Sequence, residues 1–294
     1  MDKIDLVIIR NLLENCRLTF RELADANYMS VSAIHKRIKK LEENGIITAY
    51  TARPSIIALK CLKILIYGTS HAKSLDTISQ ELGQQENTRF VGIAGNKFLI
   101  IIAYLRDISE LQDYGSFISR TAQISNPTIG IIDIPYITTP EPLSTIDYKI
   151  LKCLNRDARK SIMDITDDTG LSAKTIKKRL ERMMENNLTE FTIEWFPMYE
   201  NCFLMGFNIT LNQGTDLSST IGMICEKYSD SFALYFSYSN IPFFFTLIIC
   251  PKSAQNAHEL QKDLEKEGLK NITPFILLSV KWYECWIDQL LRTK

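Results

Sequence analysis

The sequence predicts an α+β fold in tandem duplication, and three observations predict it. The chain matches itself without gaps at an offset of about 142 residues. Each copy opens on apolar residues at helical spacing and then passes into short runs of strand character. Two of those runs, FLIIIAYL (98–105) and FFFTLIIC (243–250), are only about eight residues long, whereas a helix across a bilayer needs about twenty. They read as buried strands, and no membrane partner is expected.

The bulk numbers narrow the classes. A chain of 294 residues has room for roughly two to four small domains, each with its own core. With 46% hydrophobic and 23% charged residues it is globular, not disordered. The 34 basic residues balance the 34 acidic ones, so any nucleic-acid contact must come from local patches. The seven cysteines (16, 61, 153, 202, 225, 250 and 285) contain no C-x-x-C pair and lack the spacing of a metal site or disulfide framework. They read as reduced thiols in the core of a cytoplasmic protein. The start, MDKIDLVIIRNLL, has acids within its apolar stretch and no small-residue cleavage site, so it is not read as a signal peptide. No Gly-rich phosphate loop or nucleophile elbow is found, and no cofactor is expected.

In the repeat, Ile4-Asp5 falls on Ile146-Asp147, Leu12 on Leu154, Arg17 on Arg159 and Ser30 on Ser172. Ile34 falls on Ile176, Lys36-Arg37 on Lys178-Arg179, and Glu43-Asn44 on Glu185-Asn186. Two copies are too few for a solenoid, so the pattern is a duplicated two-domain unit.

Three helices open each unit. Ile4, Ile8 and Leu12 carry the first. Thr19-Phe20-Arg21-Glu22 is a capping box for the second, the Thr hydroxyl and the Glu carboxylate each taking an orphan backbone N–H; Ser161-Ile162-Met163-Asp164 is its counterpart. The third starts at Ser30 or Ser172, each an N-cap before a basic run, and ends at Asn44-Gly45 or Asn186-Asn187. Short strands follow at 46–50 and 188–193, completing a winged helix-turn-helix pattern.

Beyond them the period changes. A strand at 61–69, a helix at 71–84, two strands within 89–105, a helix at 108–122 and a strand at 128–137 give the order β-α-β-β-α-β, the ferredoxin-like motif. The second copy repeats it over 203–211, 217–228, 232–250, 253–267 and 274–282. The plan is therefore a winged helix-turn-helix at 1–54, a ferredoxin-like domain at 58–138, a linker with a second winged helix-turn-helix at 139–197, and a second ferredoxin-like domain with a C-terminal extension at 200–294. The extension, with Trp282, Trp286, Leu290 and Leu291, reads either as more strand or as a short covering helix. Continuous apolar strands need cover on both faces, and helices cover only one. The other face is expected to meet the second copy in the same chain, with a second chain, in a homo-oligomer, as the alternative.

Taking Ile34, Ile38 and Leu41 as the buried stripe of the third helix puts Ser32, His35, Lys36 and Lys39 on the exposed face, with Arg37 at its flank. In the second copy Ile176, Leu180 and Met183 are the stripe, and Lys174, Lys177 and Lys178 point outward beside Arg179. Such a helix fits a DNA major groove, its cations on phosphates and its leading residues at base edges. A lone basic helix is commonly just a solvated face. The same polarity behind matching capping boxes in both copies favours double-stranded DNA as the partner.

These residues resemble the Lrp/AsnC family of prokaryotic transcription regulators. The resemblance rests on D-x-I-D-x-x-I-I-x-x-L, then R-x-x-x-x-E-L-A, then S-x-x-x-I-x-x-R-I-x-x-L-E-x-x-G-I-I-x-x-Y-T-A-x-P in the first copy. The second copy matches more weakly, keeping Ser172, Ile176, Arg179 and Asn186. The resemblance implies a ferredoxin-like regulatory domain after each winged helix, a pair of these domains stacked sheet on sheet, and one chain doing the work of a dimer. It also implies a small-molecule effector loop between the second and third regulatory strands, with a Gly closely followed by an Asp. Here those places read Gly95-Asn96 and Ser239-Asn240, both without the Asp, so a plain turn competes with effector binding.

Two other functions compete on the same architecture. A siroheme-decarboxylase-like enzyme would need His and Arg clustered on the central strands to move protons and hold carboxylates. The chain has three His (35, 71 and 258), none on those strands. A winged-helix protein-interaction module is the other alternative.

Overall fold

The computed structural model describes residues 1–134, 142–196, 203–267 and 269–294. Most of the expected linker between the copies (138–142), positions 135–137 of the expected strand and Cys202 lie outside them. Asp2, Thr19 and Ser30 cap α1 (Lys3–Glu14), α2 (Phe20–Ala26) and α3 (Val31–Glu43). Each side chain accepts from the backbone N–H three residues on. At Asp2 and Thr19 the Asp5 and Glu22 carboxylates return the bond to the cap's own N–H. After α3, Gly45 takes a left-handed φ of 66°, the conformation a helix-ending glycine supplies. The strand that follows, β1 (Ile47–Pro54), runs past Tyr50 to the proline.

A single turn, α4 (Ile56–Leu59), leads into β2 (Leu62–Thr69), α5 (Leu75–Gly83), β3 (Thr88–Ala94), β4 (Phe98–Leu105), α6 (Glu110–Thr121) and β5 (Thr128–Ile131). Helix α5 begins at its Ser74 cap and not at His71, because the Ser70 and His71 N–H groups are already given to the Lys97 and Gln123 carbonyls. The second copy supplies α7 (Thr145–Leu154), α8 (Ile162–Thr169), α9 (Ala173–Glu185), β6 (Thr189–Trp195), β7 (Leu204–Thr210), α10 (Leu217–Lys227), β8 (Phe232–Ser237), β9 (Phe244–Ile249), α11 (Ala254–Lys266) and β10 (Asn271–Trp282). The tail is helical, α12 (Trp286–Thr293), so of the two readings of the extension the covering helix is the one found.

Two seams join the copies. Strand β1 pairs antiparallel with β6, Thr51 opposite Thr192 and Arg53 opposite Glu190. The other eight strands form one sheet in the order β5-β2-β4-β3-β10-β7-β9-β8, with β3 on β10 at its centre. Its outer strands then meet. Ile132 bridges Tyr238, the Asp133 N–H donates to the Ser237 carbonyl at 2.8 Å, and the Ser239 N–H donates to the Ile131 carbonyl at 2.9 Å. The sheet closes on itself and leaves few exposed edges. The two ferredoxin-like halves thus meet within one chain by edge pairing, not by stacked faces alone.

Closure sorts the side chains with a period of two. Leu65, Phe90, Ile100, Ile248 and Phe275 belong to a core continuous with the winged helices. Ile64, Val91 and Ile101 pack in the cluster that includes residues of α5 and α6. Phe207, Phe245 and Leu247 do the same with α10 and α11. Gly130 sits where a Cβ would enter the Tyr238 ring, so the closing seam requires glycine there. Burial pushes the Cys16 and Cys61 thiols up to about 12, and they stay protonated as core filler.

Where the β1–β6 ribbon meets the sheet, Arg53, Arg89, Glu194 and Asp288 are all buried. Arg53 Nε donates to Asp288 Oδ1 at 2.6 Å, and its Nη2 reaches Glu194 Oε1 at 3.4 Å. Arg89 shares that Glu194 oxygen and donates through Nη1 to the Tyr283 carbonyl at 2.6 Å. Arg156 adds a 3.0 Å contact from the rim. The Cys285 N–H and Asn155 Nδ2 complete the shell of Asp288 at 3.0 and 3.2 Å. Burial alone would raise both carboxyls. The guanidinium groups of Arg53 and Arg89 outweigh it, holding Asp288 at about 2 and Glu194 below its usual range.

A carboxyl depressed on folding stabilises the fold above its unfolded pKa and loses that contribution as pH falls through the folded one. For Asp288 the window runs from the ordinary 3.8 down to about 2, and the contribution is about 2 kcal/mol. Asp288→Asn, which leaves Arg53 short of its closest carboxylate, should cost about 3 kcal/mol at neutral pH. It should also flatten the loss of stability in that acid window, and urea denaturation at neutral and acid pH measures both effects.

Candidate nucleic-acid interface

Helices α3 and α9 bury the expected stripes, Ile34, Ile38 and Leu41 in one and Ile176, Leu180 and Met183 in the other. Ser32, His35, Lys36 and Lys39 are exposed on α3, as are Lys174, Lys177 and Lys178 on α9. Ser30 and Ser172 cap the two helices, each accepting a backbone N–H at 3.2 Å. Lys39 and Lys177 lean on acids one turn on, 3.7 Å from Glu43 and 3.9 Å from Glu181. Lys36, Lys174 and Lys178 make no ion pair among the described residues. His35 rests edge-on against Phe20 at 5.0 Å.

Arg37 and Arg179 are part-exposed at the flank of their helices, and both are engaged by the first helix. Arg37 Nη1 donates to Asp2 Oδ2 at 2.8 Å and to Asp5 Oδ1 at 2.7 Å. Arg179 Nη1 donates to Ser144 Oγ at 3.3 Å and lies 3.6 Å from Asp147 Oδ2, an oxygen that Arg182 approaches at 3.0 Å. In both copies the arginine ties the third helix to the capping box of the first, through charge-assisted bonds that already occupy part of its fork. The signal was in the sequence, because Asp5 and Asp147 are as well matched in the repeat as the arginines.

The two units are related by reciprocal contacts. Arg17 Nη1 donates to the Lys160 carbonyl at 3.2 Å, and its repeat mate Arg159 donates through Nη2 to the Leu18 carbonyl at 3.1 Å. The Cys16 N–H donates to the Phe191 carbonyl at 3.0 Å and the Ala158 N–H to the Tyr50 carbonyl at 3.1 Å. With the β1–β6 ribbon between them, α3 and α9 are fixed about a pseudo-two-fold axis inside one chain.

One residue escaped the sequence reading. Tyr28 sits in the turn before α3 with a φ of 53° and a side chain 99% exposed. Its repeat mate is Gly170, with a φ of 68°, so a tyrosine holds a backbone conformation that suits glycine.

The expected effector loops are also unalike. Gly95 and Asn96 form a tight turn, with Asn96 at a φ of 58° and the neighbouring Lys97 Nζ donating to the Ala72 carbonyl at 3.0 Å. Asn240 instead takes up β5: its Oδ1 accepts the Ile131 N–H at 2.7 Å and its Nδ2 donates to the Ile129 carbonyl at 2.9 Å. The Ser239 N–H goes to Ile131 as well. That loop is engaged in closing the sheet. Among the described residues no group of three or more His, Cys, Asp or Glu is arranged to hold a metal ion, and no helix is long and apolar enough to cross a membrane.

Two substitutions separate scaffold from surface. Tyr28→Gly should raise stability by about 0.5–1 kcal/mol, relief of the left-handed strain exceeding the added freedom of the unfolded chain. Arg37→Ala should lower it by about 1–2 kcal/mol through the loss of two charge-assisted bonds. Urea midpoints read out both.

Comparison with known proteins agrees with this geometry. Residues 1–48 match a winged helix-turn-helix DNA-binding family and residues 143–184 the AsnC-type helix-turn-helix domain. The second copy, the weaker by motif, is thus the one that carries the AsnC-type match. The chain is 30% identical over 136 residues to an uncharacterized HTH-type transcriptional regulator of Pyrococcus horikoshii, an alignment covering 45% of this chain and 92% of that protein. It is 31% identical over 122 residues to the HTH-type transcriptional regulator Ptr1 of Methanocaldococcus jannaschii, covering 41% and 80%. Among solved structures, the siroheme decarboxylase NirDL shares the whole fold, with a TM-score of 0.61 over 99% of this chain and 96% of that one at 13% identity. Relatives spanned almost whole by less than half of this chain are what a duplicated member would show, and the chain belongs to the Lrp/AsnC family of helix-turn-helix transcription regulators.

Proposed function

We propose that this protein is a cytoplasmic regulator that binds double-stranded DNA through α3 and α9, one chain acting as a pseudo-dimer. The observation that carries the reading is the pairing of two capped, basic-faced helices about an internal pseudo-two-fold axis. Lys36, Lys39, Lys177 and Lys178 neutralise phosphates, while Ser32, His35 and Lys174, near the helix N-termini, reach base edges. Arg37 and Arg179 hold the helices at the angle at which they enter the groove.

Because Ser32, His35 and Lys39 have Lys174, Lys177 and Glu181 as repeat mates, the two half-sites differ. A protein of two identical chains favours palindromes, and this one does not. The decarboxylase likeness concerns the fold. All three His are exposed, and none lies on the strands of the sheet, where a cluster for moving protons was required.

Affinity for DNA should fall steeply with salt, and Lys178→Ala should lower the slope of log K against log salt by about one without changing sequence preference. Footprints should show two unlike half-sites. Salt-independent binding, or equal protection of a perfect palindrome, would overturn the reading.

A further inference from the structure

The closed sheet encloses a space. A cavity of about 100 Å³ lies within it, lined by strands of both halves and by Trp195 and Phe196 at the end of the β1–β6 ribbon. Its wall is aromatic and aliphatic, Phe98, Phe275 and Trp282 among it, and no charged side chain lines it. Polar groups are carried by Thr246 and Asn208, the latter only 7% exposed, and by the Tyr67 hydroxyl and the indoles of Trp195 and Trp282. Thr246 Oγ1 donates to Asn208 Oδ1 at 2.8 Å and lies 2.8 Å from the Tyr238 hydroxyl. This short chain uses the Asn208 oxygen and leaves its amide N–H₂ without a partner among the described residues. Reversing the chain only moves the surplus donor to Tyr238. Taken in the first direction, the Asn208 amide, which lines the cavity, is thus a donor whose bonding capacity is unused.

We propose that this cavity binds a small, uncharged, largely apolar molecule carrying one hydrogen-bond acceptor, such as a short branched ketone, with Asn208 as the donor. The size limits the occupant to roughly the atoms of one benzene ring. The lining excludes a free amino acid or any carboxylate, because no cation is present to repay desolvation of the charge. The site is separate from the two β-turns at Gly95-Asn96 and Ser239-Asn240, and it does not depend on the DNA-binding reading.

The test is a titration of the full chain with 3-methyl-2-butanone, followed by the side-chain amide resonances of Asn208 and the fluorescence of Trp195 and Trp282. Isobutyrate, of the same shape but charged, and isopentane, without an acceptor, are the controls. The expected result is a saturable response to the ketone, about tenfold weaker binding of isopentane, and none of isobutyrate. Asn208→Leu should erase the preference for the ketone over isopentane. Ile248→Phe, which fills the space, should abolish the response while leaving the protein folded by circular dichroism. No saturable response to the ketone, equal binding of isobutyrate, or an undiminished response in folded Ile248→Phe would overturn the proposal.

Discussion

The β1–β6 ribbon is the constraint on which the arrangement rests. Each winged unit supplies one strand and neither can complete the pair alone. A lone two-stranded ribbon is marginal in water, so its support has to come from what it touches. On one side lie the helices of both units, in a core continuous with the sheet interior. Along one face lies the buried cluster in which Arg53 and Glu194, on opposite strands, are met by Arg89 from β3 and Asp288 from α12. Buried pairs give little net stability over an apolar core, but breaking one is expensive. The cluster therefore acts as a registry device: sliding the ribbon by one residue would strand a guanidinium in the interior.

Closure of the eight-stranded sheet follows from the same economy. Each half is a four-stranded sheet with helices on one face, and its inner face is too apolar to meet water. Joining β3 to β10 covers that face only if the outer strands also come together, and they do so through few bonds. Asn240 lends its side-chain amide to β5 as if it were one more strand residue, and Gly130 lets the Tyr238 ring lie flat on the backbone. A seam made of such specific pieces cannot slip easily, whereas a longer regular ladder could.

What was legible in the sequence was what is decided locally. Capping boxes at Thr19 and Ser161, the glycine after α3 and the short apolar strands all lie within a few residues of the structure they specify, and the repeat allows the capping boxes and strands to be read twice. What was not legible was decided at long range. The local pattern marks strand only over 46–50, whereas β1 runs on through Arg53 to Pro54. Only β6, nearly a repeat length away, gives them a partner. The tail was ambiguous because the cap of α12 is Cys285, a residue with little capping preference, made effective by Asp288. The ion pairs of Arg37 are not legible either, because a helical wheel shows where a side chain starts, not which carboxylates stand within its reach.

Duplication within one chain also frees positions that a dimer of identical chains must keep the same. Arg53 has Trp195 as its repeat mate, and Glu194 has Ala52. One face of the ribbon accordingly carries the ionic clamp, with the Arg53 side chain reaching along it to Glu194, while Trp195, on the other face, turns into the apolar interior and lines the cavity. Tyr28 and Gly170 diverge in the same way at the turns before α3 and α9. In a symmetric dimer the buried charges of the clamp would appear twice, each copy bearing the desolvation cost, and the interior would be lined by two equivalent walls. Here a single clamp sets the register and the facing position is released for packing or binding. The pseudo-two-fold axis survives at the helices and ribbon and is abandoned at the clamp and the cavity wall.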